Sequence, residues 1–334
     1  MTGSELITLI ADTAGRCEAA ALRIAPYIRE TELHCSSAFN QLIGANIHFK
    51  MENRQRTGSF KLRGAVNRLL TLSDEQRAAG CVTASSGNHG AAVACAMQEL
   101  KMDGVIFVPE ATSSAKIEKI RRYGGEVRFF GSDGLDTETH ARDYASSHGL
   151  FYVSPYNDAE VIAGQGTCGI EIAQKLPEVD AVFVAVGGGG LVSGLGSVLK
   201  THNPDVRIFA CQPEASAIMA RSVAAGRIVD MPGDETLSDG TAGGIEQAAI
   251  TFPITQAVAD EFVIVTEAQI AAAMRLFMNN VDDTIEGAAG VAIAAMLQRA
   301  EVLSGQTVAV IICGGNISDE KLAQVKSGAE EAHQ

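Results

Sequence analysis

Apolar residues first recur at helical spacing between residues 4 and 21, where Leu6, Ile7, Ile10, Ala14 and Cys17 share one face of an expected amphipathic helix. A short extended piece follows, and then Ile47-His48-Phe49-Lys50-Met51 alternates like a strand. From residue 80 the pattern becomes regular. Strands are expected at 81–84, 105–109, 126–130 and 150–153, separated by helices that end near residues 100, 123 and 147. Such alternation makes a compact α/β unit over 80–156. A second series begins with a helix over 161–176. The run Ala181-Val182-Phe183-Val184-Ala185-Val186 is wholly apolar, as expected of a strand buried on both faces of a parallel sheet. Glycines 187–190 then open a helix through residue 199, and another strand covers 206–210. The stretch 225–260 is rich in Gly, Asp and Pro and reads as loop. Helices near 267–280 and 287–303 lead to a last strand at 307–312, closed by Cys313-Gly314-Gly315-Asn316. The pattern predicts two parallel-sheet domains: a larger one from 1–79 and 157–334, and a smaller one, 80–156, inserted in it.

Composition narrows the class of protein. The 334 residues are 46% hydrophobic and 20% charged, a globular balance with ample core. A formal net charge of −14 argues against nucleic acid and anionic membrane as partners. The seven cysteines (17, 35, 81, 95, 168, 211 and 313) include no C-x-x-C pair, and several sit in apolar runs. They read as reduced core residues, not as a disulfide framework or zinc site. The first thirty residues have no basic-then-apolar leader, and no apolar run approaches membrane-spanning length, so a soluble cytoplasmic protein is expected.

Candidate chemistry gathers at three turns. In the first, Thr57-Gly58-Ser59 and Phe60 precede Lys61, which opens a helical pattern running to about residue 70. A lysine there meets the positive end of the helix macrodipole, which disfavours its ammonium form, and partial burial lowers its pKa further. The result is a neutral amine able to attack a carbonyl. Alone, Lys61 would read as a surface lysine beside a loop, and it is the other two turns that change this. Gly187, Gly188, Gly189 and Gly190 join a strand to a helix and expose N–H groups as a phosphate cradle, with neither the P-loop lysine nor G-x-G-x-x-G spacing. Ser85-Ser86-Gly87-Asn88-His89-Gly90 makes the same junction with two hydroxyls and an amide, where a carboxylate would bind. Serine and asparagine are also the usual N-caps, and His89 by itself reads as a hydrogen-bonded helix residue more than as a base. These turns lie at or near strand ends, where open α/β sheets bind ligands. A phosphate cradle, a carboxylate cradle and an imine-forming lysine are what an amino-acid enzyme using pyridoxal phosphate requires.

The stretches KMENRQRTGSFKLRGA (50–65), SSGNHG (85–90), VIAGQGT (161–167), VGGGGLVSG (186–194), LSDGTAGG (237–244) and CGGN (313–316) cover nearly the whole chain. In order and spacing they resemble the fold-type-II pyridoxal-phosphate enzymes of the threonine/serine dehydratase (ammonia-lyase) and serine racemase family. The resemblance implies a tryptophan-synthase-β-like α/β fold. It also implies β-elimination of a β-hydroxy amino acid such as L-threonine or L-serine to a 2-oxo acid and ammonia. Lys61 would carry pyridoxal 5'-phosphate covalently and, once freed, take the α-proton, while Phe60 would pack by the ring. Asn88 would bond the ring hydroxyl, and Gly187, Gly188, Gly189, Gly190 and Leu191 would hold the phosphate. Ser85, Ser86, Asn88 and His89 would surround the substrate carboxylate. Cys313 stands where the family often has a serine against the pyridine nitrogen; a thiol is a weak hydrogen-bond partner, which suits elimination better than transamination. Ser86 matches the residue that reprotonates the opposite face in racemases, which leaves side racemisation open. Metal-binding racemase-like members carry a glutamate before Pro213 and an aspartate beyond it; here those positions look like Gln212 and Ile218, so no such metal site is expected. The chain stops soon after CGGN, so the regulatory C-terminal domain of biosynthetic threonine dehydratases is not expected. The family also implies a homodimer or homotetramer. Competing activities are 3-hydroxyaspartate dehydratase, hydroxyectoine-utilisation dehydratase and serine racemase. From another class, a catalytically silent ligand-binding protein competes with all of them.

Overall fold

The computed structural model describes residues 3–231 and 233–327, so the expected domain limits at 1 and 334 lie outside the described residues, as does Pro232. Among the described residues ten strands are seen: β1 Leu33–Cys35, β2 Asn46–Lys50, β3 Cys81–Ala84, β4 Gly104–Val108, β5 Glu126–Phe129, β6 Phe151–Tyr152, β7 Ala181–Ala185, β8 Arg207–Pro213, β9 Glu261–Val265 and β10 Thr307–Ile311. They form a six-stranded sheet in the order β1-β2-β10-β7-β8-β9 and a four-stranded sheet in the order β5-β4-β3-β6. Neighbours are parallel throughout except β1 on β2, where Leu33 pairs with Lys50 and Cys35 with His48. The two parallel sheets expected are thus present, with one antiparallel pair at that edge. A three-residue strand doubles back and covers the outer side of β2, which shortens the open edge.

Burial explains the elements. All five residues of β7 are buried, as a strand covered on both faces requires. The helix Gly3–Ile24 buries Thr13, Ala14, Cys17, Ala20 and Ile24, a stripe at spacings of three and four. That stripe meets Ala163 of the helix Ala159–Lys175 and Val198 of the helix Gly190–His202. The helix Lys61–Leu70 packs against the helix Asn88–Leu100 and the helix Ala159–Lys175. Its Leu62, Ala65, Val66 and Leu69 share a core with Ala92, Val93 and Ala96 of the helix Asn88–Leu100 and with Ile106 of β4. Its Gly64 meets Gly164 backbone to backbone: a Cβ on Gly164 would lie 2.6 Å from the Gly64 Cα.

The expected loop over 225–260 is only partly irregular. A helix Thr251–Val258 stands inside it, with Pro253 at its third residue, where a missing N–H costs nothing. Strand β9 follows at once and closes one edge of the larger sheet. Among the described residues no helix is long and apolar enough to cross a membrane. All seven cysteines are free thiols, six of them buried and Cys35 exposed.

Candidate active site

Lys61 is the first residue of its helix, and the turn before it is strapped to the end of β10. Phe60 N donates to Cys313 O (3.0 Å), Gly315 N to Gly58 O (3.0 Å), and Ser59 bridges Gly314 in antiparallel fashion. This is how residues from opposite ends of the sequence meet. Lys61 Nζ donates to the Pro155 carbonyl at 2.9 Å and lies 5.2 Å from the centre of the Phe60 ring. Burial pulls its pKa down to about 8, although Cys313 and Glu286 both act to raise it. An amine so placed is partly neutral near physiological pH.

The turn Ser85–Asn88 leaves β3 and opens the helix Asn88–Leu100. It is tight: a Cβ on Gly90 would come within 2.0 Å of Ser85 O, and Gly87 N donates to Ser85 Oγ at 3.2 Å. The first N–H groups of that helix have no partner within it and face outward from its start. The His89 ring is 3% exposed and its Nε2 bonds the Val153 carbonyl at 3.0 Å. Burial, then the charge of Lys61, pushes its pKa down to about 3, so the ring is neutral. What His89 offers a ligand is its main-chain N–H, because its ring is turned into the interior.

Asn88 sits at the centre of a polar group that sequence reading grasped only in part. Its Nδ2 donates to both carboxylate oxygens of Glu286, at 3.0 and 2.9 Å, and its Oδ1 accepts from Asn316 Nδ2 at 2.5 Å. Glu286 is buried, 7% exposed, and Cys313 Sγ lies 3.8 Å from its Oε1. Burial raises the pKa of Glu286, and burial with the Glu286 charge lifts the Cys313 thiol well above its usual range. Glu286 was missed because an acid ahead of the apolar helix Gly287–Gln298 reads as an ordinary helix-start residue.

The glycine turn follows β7, with Gly189 left-handed (φ +85°) and Gly190 opening the next helix. Side chains have no room there. A Cβ on Gly188 would fall 2.4 Å from the Tyr156 ring, and one on Gly187 would fall 3.0 Å from the Thr241 Cα. Thr251 Oγ1 donates to Gly188 O at 2.6 Å, which leaves the N–H groups of the helix start to point at a ligand. Leu191 is buried beneath the turn. Tyr156 connects the parts: its ring lies on Gly188, and its hydroxyl accepts from Glu246 N at 2.9 Å. Gln212 is spent on structure, with Nε2 donating to Val186 O (3.0 Å) and Ser216 O (3.3 Å) and Oε1 accepting from Ala220 N (2.7 Å). Ile218 is buried in the apolar core.

The residues present fit pyridoxal phosphate. A Cβ-free turn at a helix start suits a phosphate, a lowered-pKa lysine suits a carbonyl carbon, and a flat ring can lie between them by Phe60 and Cys313. Comparison with known proteins agrees. The model for the pyridoxal-phosphate dependent enzymes matches residues 24–314. An L-threonine ammonia-lyase of Thermotoga maritima is 40% identical over 290 residues, 87% of this chain and 72% of that protein. An L-threo-3-hydroxyaspartate ammonia-lyase of Saccharomyces cerevisiae is 34% identical over 323 residues, 97% of this chain and 99% of that protein. The solved structure of maize serine racemase superposes with a TM-score of 0.87 at 31% identity, covering 96% of this chain and 98% of that one. The family match begins before the lysine turn, runs through both sheets and ends on the Cys313-Gly314 turn that the lysine turn is strapped to, so the chain belongs to the pyridoxal-phosphate dependent enzyme family.

Proposed function

We propose that the chain is an ammonia-lyase that removes water from a β-hydroxy amino acid such as L-threonine or L-serine, leaving a 2-oxo acid and ammonia. The observation that carries this reading is Lys61, a half-buried amine of lowered pKa at a helix start, on a turn strapped to the Cys313 turn. Relatives that are L-threonine ammonia-lyases support it.

In this reading, main-chain N–H groups of Gly187, Gly188, Gly189, Gly190 and Leu191 hold the phosphate, Phe60 packs beside the ring, and Asn88 meets its hydroxyl. Ser85, Ser86, Asn88 and the N–H of His89 hold the substrate carboxylate at the start of their helix. Bound pyridoxal phosphate supplies the electron sink that makes the substrate α-proton acidic. Lys61 takes that proton at Nζ, and the Pro155 carbonyl keeps the amine in place. Cys313, a neutral thiol, gives the ring side no charge of its own and so favours loss of the β-hydroxyl over prolonged storage of negative charge. The Ser86 hydroxyl is set to carry a proton on the opposite face, which would allow some racemisation. No racemase-type divalent site is proposed, because Gln212 has committed its amide to Val186, Ser216 and Ala220. The family resemblance further supports a homodimer or homotetramer and a smaller domain over 80–156. The buried free thiols support a reducing cytoplasm.

The test is release of 2-oxo acid from a panel of L- and D-β-hydroxy amino acids with EDTA present. Rapid turnover of L-threonine or L-serine is expected, together with loss of both turnover and the yellow lysine–cofactor absorbance in Lys61→Ala. Turnover of hydroxyaspartate alone would move the substrate to that of the yeast relative, and a Lys61→Ala protein that keeps colour and activity would sink the assignment.

A further inference from the structure

Two residues beyond Lys61, Arg63 is wholly buried with all five N–H donors met. Its Nε and Nη2 grip Glu52 at 2.8 Å each, and its Nη1 and Nη2 fork onto Glu171 at 2.6 and 2.9 Å. Nη1 also donates to Thr167 Oγ1 at 3.0 Å. Lys50 Nζ donates to Glu171 and to the Thr31 carbonyl (2.7 Å), while Thr31 Oγ1 donates to Glu52 at 2.5 Å. Side chains of Lys50, Glu52 and Arg63 are 0% exposed and that of Glu171 is 12% exposed, so the four charges interact in low dielectric. Burial would raise Glu52, but Arg63 overrides it and keeps the carboxylate ionised. Two cations and two anions sum to zero.

Burying four charges is a poor route to stability, since apolar side chains of like volume serve as well or better. What they cannot do is fix direction. These bonds tie the end of β2, the turn Glu52–Arg54 and the helix Ala159–Lys175 to the first turn of the helix that begins with Lys61. That first turn contains no acid of its own and meets the positive end of the macrodipole. An unbalanced Arg63 there would bear on Lys61.

We propose that Lys50, Glu52, Arg63 and Glu171 are positioning residues for Lys61: they orient its helix by directional bonds and cancel the charge of Arg63 so that the Lys61 amine does not feel it. The inference rests on the reading of Lys61 as the cofactor lysine. The groups facing that amine are Cys313 and Glu286, the neutral His89, the Phe60 ring and the Pro155 carbonyl. With the network balanced, its pKa follows burial first and then Cys313 and Glu286.

The experiment adds pyridoxal 5'-phosphate to cofactor-free protein and follows the growth of visible absorbance against pH, since only the neutral amine reacts. Wild type is expected to give a midpoint near 8. Glu171→Gln leaves the network with one positive charge in excess and should move the midpoint toward acid by about half a pH unit. Lys50→Met leaves it one negative charge in excess and should move the midpoint toward alkali by about as much. A merely structural network would lower the melting temperature of both variants without shifts of opposite sign. Folded variants that keep the wild-type midpoint overturn the proposal. Failure of both to fold also overturns it, because the charge balance would then serve the fold. A wild-type chain that captures no cofactor at any pH instead fails the reading of Lys61, and the inference with it.

Discussion

His89 feels the charge of Lys61, and burial moves both groups downward, Lys61 to about 8 and His89 to about 3. For His89 the consequence is a pH dependence of folding. Its folded pKa lies below the ordinary value of 6.5, so its contribution to stability is fully present above pH 6.5 and is lost as pH falls from there toward 3. Within that window the unfolded chain gains a proton that the folded chain refuses, worth about 1.4 kcal/mol per pH unit. A His89→Asn variant keeps a donor for the Val153 carbonyl but cannot titrate. Urea unfolding of the cofactor-free protein at pH 7 and pH 5 should therefore show wild type losing about 2 kcal/mol more than the variant across that interval. Equal losses would show that the folded ring titrates as it does in the unfolded chain. The sequence showed His89 beside a candidate carboxylate turn, but not that its ring bonds Val153, because that contact depends on β6 lying next to β3.

At the scale of elements, the glycine turn and the Tyr156 turn are one device. Gly188→Ala should leave the fold intact and weaken cofactor binding about tenfold to a hundredfold, since its Cβ would need the space of the Tyr156 ring 2.4 Å away. Absorbance titration of wild type, Gly188→Ala and Gly188→Ala with Tyr156→Ala checks this, with the double variant expected to recover part of the loss. The turn itself was legible, because four glycines between an apolar strand and a helix have few other uses. Most strands and long helices were legible for the same kind of reason: β7 and β10 are apolar runs, and the helix Gly3–Ile24 has a clean stripe. What escaped was short or ambiguous. Pro253 hid the helix Thr251–Val258, five residues of β9 were lost behind it, and the helix Ser37–Ile43 has too few turns to show a period. Glu286 and Asn316 escaped as partners of Asn88 because only the fold brings them within 3.0 Å of it.

For the whole molecule, the relation between the two sheets was read correctly from the alternation of patterns, since an unbroken βα series cannot be spliced into another sheet without forming its own. The ties between them were not. Arg142, from the helix Gly134–His148 on the smaller sheet, pairs with Glu246 at 2.9 Å, and Glu246 in turn accepts from Asn157 and its N–H donates to Tyr156. The Arg142 side chain is 39% exposed, so the pair adds little to stability. Arg142→Ala should shift the melting temperature by no more than about 2 °C. It should raise the KM for the amino acid several-fold by loosening the loop behind Tyr156; an unchanged KM would confine the pair to the surface. The arrangement of strands also sets a timetable for synthesis. Strands β3 to β6 are contiguous in the chain, so their sheet can close while the ribosome is still at work. Strand β2, however, waits for β10, and the lysine turn waits for Gly314. At roughly 5–20 residues per second, that interval lasts on the order of tens of seconds. Throughout it the nascent chain exposes a half-built apolar sheet and no finished lysine site, so cofactor can be acquired only after the last strand has left the ribosome.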